Sequence, residues 1–192
     1  NSHYFQIPKN PFFQSPYVMR KIENFENDFR LLKIEENLYI TNASLRNGGV
    51  TKENLMSYKD SVERFVEDGK FFTLRYIEDN GFYHELMDYG FEEIFYQSIL
   101  MRPGRLKYLK IAKQVVFIKS KLDVTVNDLM AYLLQDNQSI TVEKLIERSQ
   151  SLCQLDLDYD HAIKLMKNTT YFYSEDLLKL YEDQEIYYKE IY

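Results

Sequence analysis

Residues 125–173, TVNDLMAYLLQDNQSITVEKLIERSQSLCQLDLDYDHAIKLMKNTTYFY, decide the fold reading. Val126, Leu129, Met130, Leu133 and Leu134 fall at i, i+3, i+4, i+7 and i+8, the spacing of one apolar helix face. Val142, Leu145, Ile146, Ser149, Leu152 and Cys153 repeat it, as do Tyr159, Ala162, Ile163 and Met166 after a break at 154–158. Thr125 with Asp128 three residues on matches a capping box, with Asp in place of the usual Glu. Tyr171-Phe172-Tyr173 reads as a strand, and Ser174 as the cap of a last helix through Leu177, Leu178 and Tyr181.

Upstream lies Arg102–Lys121, RPGRLKYLKIAKQVVFIKSK, with seven cations and no Asp or Glu. Its start fits either period, and Val115–Ile118 reads as a strand. Before it, Val18–Leu32 has helical spacing, a short element covers Leu38–Ile40, and Asn47-Gly48-Gly49 is a break. Thr51 caps a helix with Leu55, Tyr58, Val62, Phe65 and Val66 on one face, ending at Asp68-Gly69. Phe71–Tyr76 reads as a strand, and Phe82–Met101 as mostly helical, stopped by Pro103-Gly104. Tyr58–Val66 running into Lys70-Phe71-Phe72 echoes Tyr159–Lys167 running into Tyr171-Phe172-Tyr173, a faint internal repeat.

Three short helices, the last feeding a strand pair, make a winged-helix arrangement. The expected fold is therefore mainly α with short β strands, as two tandem winged-helix-like units. The expected divisions are an extended Pro/aromatic arm at 1–17, a first unit at 18–101, a basic connector and strand at 102–121, and a second unit at 122–192. Residues 122–181 resemble the HARE-type winged helix of the bacterial RNA polymerase delta subunit, through their pattern of apolar positions. The first hundred residues do not share that pattern. The resemblance implies association with transcription or other DNA-linked machinery in a bacterial cytoplasm.

Composition bounds the rest. A chain of 192 residues with 45% hydrophobic and 16% aromatic content can bury a core. The net charge of −6 argues against coating nucleic acid with the whole surface, but leaves room for a local patch. The single cysteine, Cys153, excludes an internal disulfide and fits a reducing cytosol. No apolar run approaches the roughly 20 residues that span a bilayer. The start at Asn1-Ser2, without Met, reads as a piece excised from a longer protein or as a tag scar.

The candidate nucleic-acid contacts are Arg102, Arg105, Lys107, Tyr108, Lys110, Lys113, Lys119 and Lys121, with Lys164 and Lys167 from the third helix of the second unit. Lysines can neutralise phosphates, and Tyr108 can stack on an unpaired base. The alternative is that these cations only alternate with Leu106, Leu109, Ile111, Val116 and Ile118 and pair with acids such as Glu92 and Glu93. That third helix opens with Asp158 and Asp160, which repel a phosphate backbone. The arm, with Tyr4, Phe5, Phe12 and Phe13 among prolines, either docks on its own domain or binds a partner.

No catalytic motif is present, and His3, His84 and His161 lie far apart. His84 with Glu85 and Asp88 is the one metal-like spacing, and no metal or cofactor is expected. The function expected is a non-enzymatic regulatory or DNA-associated module that contacts DNA through 102–121. The alternative is a protein-interaction or assembly module, with a protein partner or a second copy. No membrane and no small-molecule substrate is expected.

Overall fold

The computed structural model describes residues 4–135 and 137–192, so His3 lies outside them. In chain order the elements begin with β1 (Tyr4–Gln6), α1 (Pro16–Asn27), β2 (Leu31–Glu35), β3 (Leu38–Thr41), α2 (Asn42–Asn47) and α3 (Lys52–Phe65). Next come β4 (Phe71–Phe72), α4 (Leu74–Asp79), a 3-10 turn (Glu85–Tyr89), α5 (Glu93–Leu100), β5 (Leu106–Ile111) and β6 (Gln114–Lys119). The last are α6 (Val126–Leu134), β7 (Ser139–Thr141), α7 (Val142–Cys153), α8 (Tyr159–Lys167), β8 (Phe172–Ser174), β9 (Lys179–Tyr181) and α9 (Gln184–Ile191). The architecture is mixed α/β, roughly half helical, with short strands in three small antiparallel sheets. No helix among the described residues is long and apolar enough to cross a membrane.

The chain divides into two compact units. One holds the described residues through Val66 with Gly81–Leu106; the other holds Glu67–Asn80 with Lys107–Tyr192. The expected divisions had run continuously along the chain. Instead Glu67–Asn80 groups with the second unit, and the basic segment is cut at Leu106.

In the first unit β1 adds to β3, with Tyr4 opposite Ile40 and Gln6 opposite Leu38, in a sheet of order β1-β3-β2. The arm is thus partly a sheet edge, and Pro16 opens α1, where a missing N–H matters least. α1 stops before the helix expected to Leu32 does. Phe29 takes φ 57°, and the amides of Phe29 and Arg30 bond back to Glu26 O and Phe25 O at 2.9 and 2.8 Å. That is a Schellman stop with Phe where Gly is usual, and it frees Leu31 and Leu32 for β2. The helix expected over 82–101 is interrupted at Gly90, φ 64°, and resumes as α5, which packs on α3 and β2.

In the second unit α6, α7 and α8 form as their spacing requires, Thr141 and Asp158 capping the latter two. Leu129, Met130, Leu133, Leu145, Leu165 and Met166 build one core with Phe71, Val116 and Ile118. The strand expected over 71–76 ends at Phe72. The Thr73 hydroxyl accepts the Tyr76 amide at 3.2 Å and donates to Cys153 O at 2.9 Å, which starts α4. Ser174 caps a turn, not a helix: its hydroxyl accepts the Leu177 amide, Leu178 takes φ 48°, and the chain returns as β9. The final helix is α9, capped by Asp183.

β5 and β6 form a hairpin through Ala112 (φ 48°) and Lys113 (φ 67°). Two consecutive left-handed residues are what a type I′ turn needs, and Asn-Gly is the usual pair. The faint repeat does not carry into the pairing. β4 joins the last strand of its sheet, as β7 does, while β8 is the outer arm of a hairpin.

Two outcomes follow for stability. Lys113→Gly relieves the turn and raises the unfolding free energy by about 1 kcal/mol in urea titrations. Leu145→Ala, at a fully buried position, lowers it by about 2–5 kcal/mol.

Candidate interaction surfaces

The basic segment does not present all of its cations to solvent. Arg102 is buried in the first unit, its guanidinium 3.7 Å from Glu26 Oε1, 3.4 Å from Leu31 O and over the Phe29 ring. Burial raises the Glu26 pKa above its ordinary value and outweighs the opposing pull of Arg102. The Lys59 ammonium of α3 donates to Arg102 O and Pro103 O at 2.6 and 2.8 Å. Desolvation pulls its pKa down, against the opposing charges of Glu63 and Asp60. A Cβ on Gly104 would lie 2.6 Å from that nitrogen, so a larger residue there would displace the ammonium from its present position. Arg102 therefore leaves the list of phosphate contacts, because it is part of an interior.

On the hairpin, Lys119 meets Asp68 at 3.1 Å with most of its side chain covered, and Lys107 meets Asp123 at 3.0 Å. These are the acidic partners seen, where the sequence had suggested Glu92 and Glu93. Arg105, Lys110, Lys113 and Lys121 are exposed, and Tyr108 is exposed while leaning on Phe117 at 6.2 Å. On α8, Lys164 is exposed, whereas Lys167 is held by Glu175 and lies over the Tyr173 ring at 5.6 Å. The first turn of α8 is already occupied. Asp158 accepts both the His161 amide and its ring Nδ1 at 2.8 Å.

Among the described residues, His84 and His161 do not assemble a reactive pair. His84 Nε2 sits 3.2 Å from Ser57 Oγ, but its Nδ1 accepts the Leu86 amide at 3.1 Å. In the neutral ring the proton then lies on Nε2, so the ring donates to Ser57 and offers no base to it. Glu85 is met by Asn54, and Asp88 accepts from Tyr83. Among the described residues no group of three or more His, Cys, Asp or Glu is placed to hold a metal ion. Cys153 is buried, and burial pushes its thiol up to about 11, which removes thiolate chemistry near neutral pH.

The surface the sequence did not disclose is a cleft of about 690 Å³ in the first unit. One side is an α1 face bearing Tyr17, Val18, Lys21, Ile22 and Phe25; the other includes Phe5, Phe13 and Leu31. Arg30 lies over the Phe25 ring at 4.7 Å and Lys21 over Tyr17 at 5.8 Å, so both cations are positioned by rings of the wall. Among the described residues, no Asp or Glu lines it. The aromatic arm was the one sequence signal that pointed here. No family model, curated protein or solved structure matches the chain.

The placement of the cations has a direct consequence. Arg102→Ala, which strips a buried network, lowers stability by about 3 kcal/mol, whereas Lys110→Ala leaves the urea midpoint unchanged. In the same titrations Cys153 reacts with a thiol reagent at pH 8 only as the chain unfolds.

Proposed function

We propose that this chain is a non-enzymatic regulatory module of winged-helix type whose working contacts are with other proteins. Two runs of elements support the winged-helix part. α6-β7-α7-α8-β8-β9 is helix, strand, helix, helix and hairpin, with the first strand on the returning arm. α3-β4-α4-α5-β5-β6 repeats that order along the chain, with the sheet again arranged first-third-second, although α3 and α5 belong to the first unit and β4, α4 and β6 to the second. The α6-to-β9 run lies within residues 122–181, the stretch whose apolar pattern resembles the RNA polymerase delta subunit domain.

The character of the two third helices carries the choice of partner. In a DNA-reading winged helix this element enters the major groove with its N-terminal residues on base edges. α5 instead buries Phe95, Tyr96, Ile99 and Leu100. α8 opens with Asp158 and Asp160, and Asp158 already caps its amides. Neither helix suits a groove lined with phosphate. Of the two partner classes, protein is favoured.

A second reading has its own observation. The β5–β6 hairpin exposes Lys110, Lys113 and Tyr108, and a wing of this kind lies along the DNA backbone.

Fluorescence anisotropy with labelled duplex and single-stranded DNA separates the two. The protein-binding reading predicts no saturation below about 10 µM at physiological salt. Tighter, salt-steep binding that disappears in Lys110→Glu/Lys113→Glu overturns it in favour of the hairpin.

A further inference from the structure

The cleft beside α1 has a composition that specifies an occupant. Its α1 wall runs from Tyr17 to Phe25, nine residues with a rise of about 12 Å, roughly two helical turns. The interior is aliphatic and aromatic, so the free energy of filling it comes from apolar side chains leaving water. Its volume lies in the range of pockets that take a few large apolar groups. Apolar surface also continues onto the rims: Tyr4 and Tyr17 are 54% and 73% exposed. That continuity favours an elongated occupant over a small enclosed one.

Charge narrows the choice. The chain as a whole is acidic, with a net charge of −6, yet the cleft is lined by Lys21 and Arg30 and, among the described residues, by no carboxylate. Each cation is stacked on a wall ring and so is held beside the apolar floor. A guest that fills the floor is best complemented by negative groups at that rim. An acid at one edge and apolar anchors at two-turn spacing describe one face of a helix.

We infer that this cleft receives an acidic amphipathic helix of a partner protein, with large apolar side chains in the floor and Asp or Glu paired with Lys21 and Arg30. The inference rests on the protein-binding reading above and specifies its site and ligand chemistry.

The test is a phage-displayed library of 16-residue peptides selected on the full chain, with enriched peptides measured individually by anisotropy. Two variants accompany it: Lys21→Glu/Arg30→Glu reverses exposed charges without touching the core, and Val18→Glu puts a charge in the wall. Circular dichroism confirms that both remain folded. The expected result is enrichment of peptides with Phe, Leu or Trp at i, i+3 or i+4 and i+7 beside Asp or Glu. Their binding weakens by at least about tenfold in each variant and falls with salt.

Enriched peptides that are basic, or whose binding neither variant changes, overturn the inference while leaving the protein-binding reading standing. So does a cleft occupied by a second copy, seen as a dimer by light scattering that Val18→Glu dissolves. Failure to enrich any cleft-dependent peptide, or saturable binding of dodecanoate in place of peptide, overturns it as well. DNA binding through the hairpin would instead remove the reading on which it rests.

Discussion

The first unit is organised around a lysine that reaches inward. Lys59 is a buried residue of α3 whose ammonium satisfies the carbonyls of Arg102 and Pro103, just past the end of α5. Orphan carbonyls at a helix exit need donors, and a cation is the strongest one available. Gly104 is bare so that the ammonium can come this close. One residue before Pro103, the Arg102 guanidinium turns into the same unit toward Leu31 O and Glu26. Removing either cation leaves buried polar groups without their partners. The exit from α5, and with it the start of the hairpin strand β5, depends on this arrangement.

That dependence changes what the run of positive charge means. A stretch of seven cations with no acid looks like a phosphate-binding strip when written as a line. In three dimensions its first member is interior to one unit, and Lys107 and Lys119 are matched by Asp123 and Asp68 of the other. Lys113 stays exposed because a two-residue turn has no interior to bury it, and Lys110 because it stands at an exposed position of β5. Local charge density in sequence is thus a poor measure of surface potential where strands alternate sides. The cleft is the converse case. Its wall residues come from β1, the arm, α1 and the β2–β3 region, and no single segment announces them.

The parts of the fold legible in the sequence are those governed by short-range rules. α6, α7 and α8 follow from apolar periodicity, with Thr125 and Asp128 forming the reciprocal cap their spacing implied. The Val115–Ile118 run is β6, and Thr51 caps α3 with Asn54. What stayed hidden involved residues that act against type. Phe29, Ala112, Lys113 and Leu178 hold left-handed conformations without a Gly or Asn to signal them. Thr73 stops a strand because Cys153, 80 residues away, supplies a carbonyl. Lys59 and Arg102, usually surface residues, are interior because their partners come from distant segments. Each of these is decided by tertiary context, which periodicity does not contain.

The central claim, that the fold consumes much of the charge that looked functional, is testable residue by residue. Acylation of the native chain with an amine-reactive ester, followed by peptide mass spectrometry, reports how freely each lysine meets solvent. The account predicts that Lys59 and Lys119 label at least about tenfold more slowly than Lys110, Lys113 and Lys121, and catch up only on unfolding. Equal labelling of all five in the native chain would contradict it.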